Sequence, residues 1–394
     1  MFAFFPWLIL HDEEYEDGLE FGRFKLLRYI SGIEPEGNGS SNQRIIDETL
    51  THYIGRNDQP VATATLIAID GEVHHDSFDA RTTQELFTFV DILTFGGLAA
   101  REFFVQIGNQ LNSTCFDLHI QGYANPKFGL VIRSRRRDAR QVSLGVSRFY
   151  CPHYALGLDR IRLDRPLIQA LIRIHSRDDR NKYEQAIRLF NEANTDSDQK
   201  RDYEEYVQTV SAFEVLLETR KKSKERRLGE AFAEGFRSAQ DVPDIPVNRI
   251  LRTDGTQKRY GQVIAVREIW MRDCYIWRGY FAHGEVLTDW EKITRERHHI
   301  LTPDKHLILM NYAFPRLVKA LLSAEEDEKG PVYFLTEGDR DEIDVFEELV
   351  CLDYDVLQRE LDKYADTNLW RKTIRECKRQ GFVRRATAKY LGDA

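Results

Sequence analysis

The sequence predicts an α+β fold, with a mixed, strand-rich first part to about residue 160 and a helical part after it. Two observations carry this. Before residue 160, runs of β-branched and aromatic residues alternate as half-buried strands do. From Asp164 onward the apolar residues recur at spacings of three and four, the period of a helix with one buried face. The composition is that of an ordinary globular chain: 394 residues, 42% hydrophobic and 30% charged.

The opening run Met1–Leu10 is apolar, interrupted by Pro6 and too short to span a bilayer. It reads as a buried strand rather than a signal peptide, so the expected location is cytoplasmic, with no membrane partner. Further strands are expected at Phe24–Ile30, Val61–Ile69, Cys115–Ile120, Phe128–Ile132 and Val142–Tyr150. Glu36–Asn42 is a loop by composition. Helices are expected at Arg44–Tyr53 and at Thr83–Phe95, where Leu86, Phe87, Val90 and Leu93 form a stripe.

In the second part, Asp164 is an N-cap with Pro166 in the first turn. Helices follow at Asn181–Ala193 (Tyr183, Ile187, Phe190), Asp202–Glu218 (Tyr206, Val210, Phe213, Leu217) and Arg227–Phe236. Asp241–Asp254, with Pro243 and Pro246, is a connection. The longest helix is expected at Tyr260–Ala282, with Val266, Trp270, Cys274, Trp277 and Phe281 inward and Gly284 just beyond its end. Leu301–Ser323 is another helix, Gly330–Thr336 is extended, and helices resume from Asp341. The chain divides accordingly at 1–160, 161–323 and 330–394.

The five cysteines are scattered with no C-x-x-C spacing, which points to reduced thiols rather than a disulfide framework or zinc site. Net charge is -8, which argues against a dedicated duplex-DNA coat and leaves room only for a local basic groove. His74, His75, Asp76 and Asp79 match no standard metal spacing, and neither metal nor cofactor is expected. The basic runs Arg133–Arg140 and Arg220–Arg227 read first as solvated faces.

One segment stands out: Tyr275-Ile-Trp-Arg278-Gly-Tyr-Phe-Ala-His283-Gly284. It places Arg278 and His283 at the end of an apolar helix, where the negative end of the dipole favours cations. Five positions correspond to roughly 140° around a straight helix, so the two share one face only if the last turn tightens or unwinds. Arg278 flanks the buried stripe and needs a partner, and Glu214, near the apolar side of its own helix, is a candidate. The spacing is not diagnostic alone, since Arg148 and His153 repeat it at a strand end. Without further context, a buried Arg and a helix-end His with no reaction is the simpler reading.

Two blocks resemble the Apea-like branch of the HEPN superfamily. One is Ala186–Asn191 followed by Ser211–Glu218, with Phe213-Glu214 in the family's "FE-x-LL" position. The other is Tyr275, Arg278, His283 and Gly284 at the spacing of the terminal-helix signature. Many active members carry a polar residue directly after the Arg; here it is Gly279, while Tyr280 offers a nearby hydroxyl. The resemblance covers about residues 165 to 322. It implies an all-α bundle with extra helices after it, homodimerising through the motif helices so that two Arg–His pairs share a cleft. It also implies a metal-independent endoribonuclease that leaves 2′,3′-cyclic phosphate ends, in an anti-phage defence or toxin setting. Arg278 and His283 would be catalytic, with Glu214, Tyr275 and Tyr280 in support. Lys221, Lys222, Lys224 and Arg227 join two of the helices, where they would flank an RNA groove. The alternative is a non-catalytic HEPN module that binds RNA or a nucleotide, or assembles with a partner protein.

Overall fold

The computed structural model describes residues 1–16, 20–33, 40–55, 57–101, 111–122, 130–134, 141–144, 148–152, 160–175, 180–195, 200–219, 224–237, 249–251, 257–260, 266–283, 290, 292–293, 301–344, 346 and 349–350. The fold is α+β. It divides into two compact units, 1–178 with 194–197, and 179–193 with 198–394. The helix at 165–174 therefore groups with the first unit, whereas the sequence reading placed it after the boundary at 160. Among the described residues no helix is long and apolar enough to cross a membrane.

The first unit is built on a seven-stranded antiparallel sheet ordered β2-β3-β5-β1-β6-β7-β8. The strands are β1 (Phe2–Phe5), β2 (Glu20–Phe21), β3 (Phe24–Ile30), β5 (Thr63–Ile69), β6 (His119–Gly122), β7 (Leu130–Ser134) and β8 (Gln141–Leu144). Strand β1 lies in the middle, so its four residues are buried on both faces. That explains why the opening run lacks alternation. Helix α1 (Asp12–Glu16) follows β1. On one face Phe2, Phe4, Tyr29 and Leu66 pack with Ile46 and Leu50 of helix α2 (Ser40–Leu50). Helix α3 (Ala80–Ala99), capped by the Asp79 carboxylate accepting from the Thr82 amide at 2.6 Å, brings Phe89 against Phe24 at 4.9 Å.

Two glycines allow α3 a close approach. A Cβ on Gly96 would lie 2.4 Å from Ile168 of helix α4 (Arg165–Ile174), and one on Gly97 would lie 2.2 Å from Phe116. Helix α4 begins as the sequence predicts, with Asp164 accepting from the Leu167 amide at 3.1 Å.

Two strand expectations and the start of one helix need correction. Cys115 and Phe116 lie in a 3-10 turn, Ser113–Phe116, because the Asn112 side chain caps the Thr114 amide; the strand begins at His119. The run Val142–Tyr150 divides into β8 and β9 (Phe149–Tyr150), and β9 pairs in parallel with β4 (Tyr53–Ile54) outside the large sheet. The long helix does not begin at Tyr260: Gln257–Tyr260 is strand β11, antiparallel to β10 (Arg249–Leu251), which lies inside the expected connection.

The second unit holds helices α5 (Arg180–Ala193), α6 (Asp202–Leu216), α7 (Lys224–Gly235), α8 (Val266–Ala282), α9 (Pro303–Ser323) and α10 (Glu337–Asp344), with the short ladder β12 (Glu326–Asp327) and β13 (Gly330–Pro331). Aromatic rings join them. Phe190 of α5 stacks on Phe314 of α9 at 4.5 Å, and Phe314 meets Phe213 of α6 edge-on at 5.0 Å. Phe213 meets Phe232 of α7, which lies 5.3 Å from Trp270 of α8. Trp270 and Trp277 are fully buried, as the helical stripe required. A buried charge network ties α9 to α10: Lys319 reaches Asp339 at 2.6 Å, and Asp339 also accepts from Tyr333 and from the Thr336 amide and hydroxyl.

Gly97→Ala should destabilise the protein by about 1–3 kcal/mol, because the new methyl group overlaps Phe116 across a packed interface. Urea denaturation reads this, and unchanged stability would mean that the approach is not tight. Burial pushes the Asp339 carboxyl up, but the Lys319 ammonium and the Thr336 donors outweigh it and hold it below the usual carboxylate range. A depressed folded pKa gives stability that is present above the unfolded value, about 3.9, and lost as pH falls further. Asp339→Asn should therefore flatten the acid limb of the stability curve, as measured by thermal melts across pH.

Candidate active site

The site is built on α8, and its placement follows from the helix's apolar stripe. With Trp270, Cys274 and Trp277 fully buried and Phe281 nearly so, Tyr275, Ile276, Arg278, Gly279 and Tyr280 lie at the margins of the buried face and Ala282 and His283 are exposed. The helix is secured along its length. The Tyr206 hydroxyl of α6 donates to the Cys274 carbonyl at 3.2 Å, and the Trp277 indole donates to the Leu301 carbonyl at 3.2 Å.

Arg278 finds the partner that its position demands. Its Nη2 lies 3.3 Å from Glu214 Oε2, across the α6–α8 contact, with side-chain exposures of 26% and 12%. The other Glu214 oxygen lies 3.4 Å from Lys224 Nζ in the first turn of α7. One nearly buried carboxylate thus bridges two cations and leaves the cluster with a net positive charge. The guanidinium sits 5.7 Å from the Tyr275 ring. Its Nε is buried without an acceptor among the described residues. Arg278 is therefore a half-buried donor group whose hydrogen-bonding capacity is only partly used.

His283 is placed differently. Its amide bonds to the Gly279 carbonyl at 3.1 Å, so the helical hydrogen-bond pattern runs through to it without tightening. The imidazole is exposed and stands on another face of the helix from Arg278, at the roughly 140° offset of an undistorted helix. Within one chain, then, Arg278, Glu214, Lys224 and Tyr275 come together and His283 does not join them. Tyr280 stands edge-on to Trp277 at 5.7 Å with its hydroxyl buried, so it is not presented to the cluster from solvent. Gly279 has open space where a Cβ would be, so packing inside this chain does not require glycine there. Arg227 is exposed on α7, while Lys221, Lys222 and Gly284 lie outside the described residues.

The sequence reading passed over a second polar cluster on α8. His306 of α9 contacts both Asp273 and Cys274 in the core. The signal was present, a charged residue beside the stripe and a histidine on an apolar helix face, but neither residue indicates the other. In the first unit, His74 packs its ring 5.7 Å from Phe2, and burial pushes its pKa down to about 4. Cys115 and Cys274 are buried, and Cys151 is partly buried.

Comparison with protein-family models, with curated proteins and with solved structures returned no match. The chemistry of the cluster therefore stands on its own geometry. It offers a fixed guanidinium and a flanking ammonium, a pair suited to an anionic, phosphate-bearing ligand.

Glu214→Gln should cost about 1–2 kcal/mol of stability, because Arg278 and Lys224 both lose their counter-charge in a half-buried setting. Chemical denaturation of the single variant and of Glu214→Gln with Lys224→Ala measures it. A loss below a few tenths would mean that solvent already screens the pair.

Proposed function

We propose that this protein is a metal-independent endoribonuclease, acting as a homodimer, with Arg278 and His283 as its catalytic residues. The observation that carries the reading is the Arg278 guanidinium, on a side chain that keeps 26% of its surface exposed and is held by Glu214 at one nitrogen. A guanidinium so placed binds a phosphodiester oxygen and stabilises the charge that develops there. Lys224, 44% exposed, adds a second cation beside it.

In the reaction, the His283 imidazole accepts the proton of a ribose 2′-OH. The 2′-oxygen attacks the adjacent phosphorus, the bond to the 5′-oxygen breaks, and that oxygen leaves with a proton drawn from solvent, to which His283 then returns its own. The products carry 2′,3′-cyclic phosphate and 5′-hydroxyl ends. DNA has no 2′-OH and is not a substrate. Because Arg278 and His283 face different directions in one chain, a second copy docked through α8 supplies the missing juxtaposition. The partly exposed Tyr275, Ile276 and Gly279 beside the buried stripe support that mode of docking. The same separation is the observation that favours the second reading, a module that binds RNA without cutting it.

The test is cleavage of total RNA, and of a DNA oligonucleotide, by purified protein in EDTA. Wild type should produce cyclic phosphate ends from RNA alone. Arg278→Ala and His283→Ala should each lose roughly 10²–10⁴-fold in rate while staying folded. Equal cleavage by His283→Ala, or cleavage abolished by EDTA, would overturn the assignment. RNA binding that Arg278→Ala removes, with no cleavage by any form, would establish the binding module instead.

A further inference from the structure

One turn before Arg278, α8 and α9 share a sealed cluster of three reactive groups. His306 of α9 is fully buried. Its Nε2 lies 2.9 Å from Asp273 Oδ2, and its Nδ1 lies 3.2 Å from Cys274 Sγ. Both partners are neighbours on α8. The Trp270 ring packs 6.1 Å from the imidazole, and Tyr206 of α6 holds the Cys274 carbonyl.

A thiol, an imidazole and a carboxylate in this order make a nucleophile when the sulfur is open to substrate. Here Cys274 and His306 have no exposed surface, and burial pushes the thiol pKa well above its usual value. A protonated, inaccessible sulfur attacks nothing. With Asp273 ionised, its carboxylate can only accept, so Nε2 would carry the hydrogen and the thiol S–H would donate to Nδ1.

That pair of bonds constrains α8 in a way that its apolar stripe does not. Adjacent helical residues are about 100° apart around the axis, so one imidazole satisfies both partners at only one rotation of the helix. Hydrophobic contacts tolerate small rotations; two directed bonds on one ring do not. Arg278 lies four and five residues beyond these partners, within the same unbroken helix. Its direction toward Glu214 therefore follows from the rotation set at Asp273 and Cys274.

We propose that His306 is a positioning residue: its bridge to Asp273 and Cys274 sets the rotation of α8 and thereby holds Arg278 against Glu214, in register for phosphate. The catalytic consequence rests on the ribonuclease reading, whereas the positioning itself does not.

The experiment compares His306→Leu, His306→Gln and Asp273→Ala in the full chain. Leucine removes both bonds; glutamine places its amide nitrogen near the Nε2 position and keeps the donation to Asp273; alanine at 273 removes the acceptor. The first readout is the side-chain Nε–H resonance of Arg278, assigned with Arg278→Lys, and it needs no activity. It should move in His306→Leu and in Asp273→Ala, and move less in His306→Gln. In RNA cleavage, His306→Leu should lose about tenfold or more in kcat with KM nearly unchanged, and His306→Gln should lose less. An unmoved Arg278 resonance in folded His306→Leu, or equal damage from Gln and Leu, overturns the proposal. If His306→Leu fails to fold, the Arg278 resonance in Asp273→Ala decides the same question. If wild type leaves RNA uncut, the functional reading fails and the Arg278 resonance alone decides the positioning.

Discussion

The helical unit is organised by the need to bury one face of α8. Trp270, Cys274, Trp277 and Phe281 point inward, and α6, α7 and α9 each contribute aromatic rings or polar contacts to meet them. A strictly apolar stripe would leave the helix free to shift. Charged residues beside the stripe prevent that, because each buried charge must find a partner in a neighbouring element. Arg267 donates to the Phe236 carbonyl, Arg272 pairs with Glu268 and lies 3.8 Å from Glu230, Asp273 accepts from His306, and Arg278 pairs with Glu214. The arginine of the site is thus one member of a series of charges that also define how the helix sits.

The same demand explains why Glu214 is more than a counter-ion. Its carboxylate sits between Arg278 and Lys224, so it holds a helix-end cation and a helix-start cation close together without neutralising both. Against a net charge of -8 for the whole chain, such local concentration of positive charge is what an anionic ligand would meet. Elsewhere on the contact between α7 and α8, a Cβ on Gly229 would fall 2.6 Å from Arg272 Cγ, so glycine there lets α7 approach α8.

The first unit follows a separate logic. Its central strand is buried on both faces, its register is long and regular between β3 and β5, and paired glycines in α3 let that helix approach α4 and the 3-10 turn. Its polar clusters include matched ion pairs, such as Arg165 with Glu14 at 2.6 Å and Arg23 with Glu85 at 3.1 Å. The first ties α4 to α1, and the second ties α3 to the turn before β3, so both serve to seat helices.

Helices were legible in the sequence because their signal is local. The stripes at 181–193, 202–218 and 301–323, and the Asp164 cap with Pro166, matched α5, α6, α9 and α4 closely, since a helix bonds to itself within four residues. Strands were less legible because pairing is not local. Asn112 converted one apolar run into a turn, and β8 and β9 separated because their partners lie in different sheets. For the site, sequence alone determined that Arg278 flanks a buried stripe, that it needs a carboxylate, and that Glu214 is well placed to supply one. Only the tertiary structure decided that Lys224 shares that carboxylate, that His283 faces elsewhere, and that His306 holds Asp273 and Cys274. Those contacts join residues ten to thirty-three positions apart or depend on the rotation of a packed helix, and no local spacing encodes either.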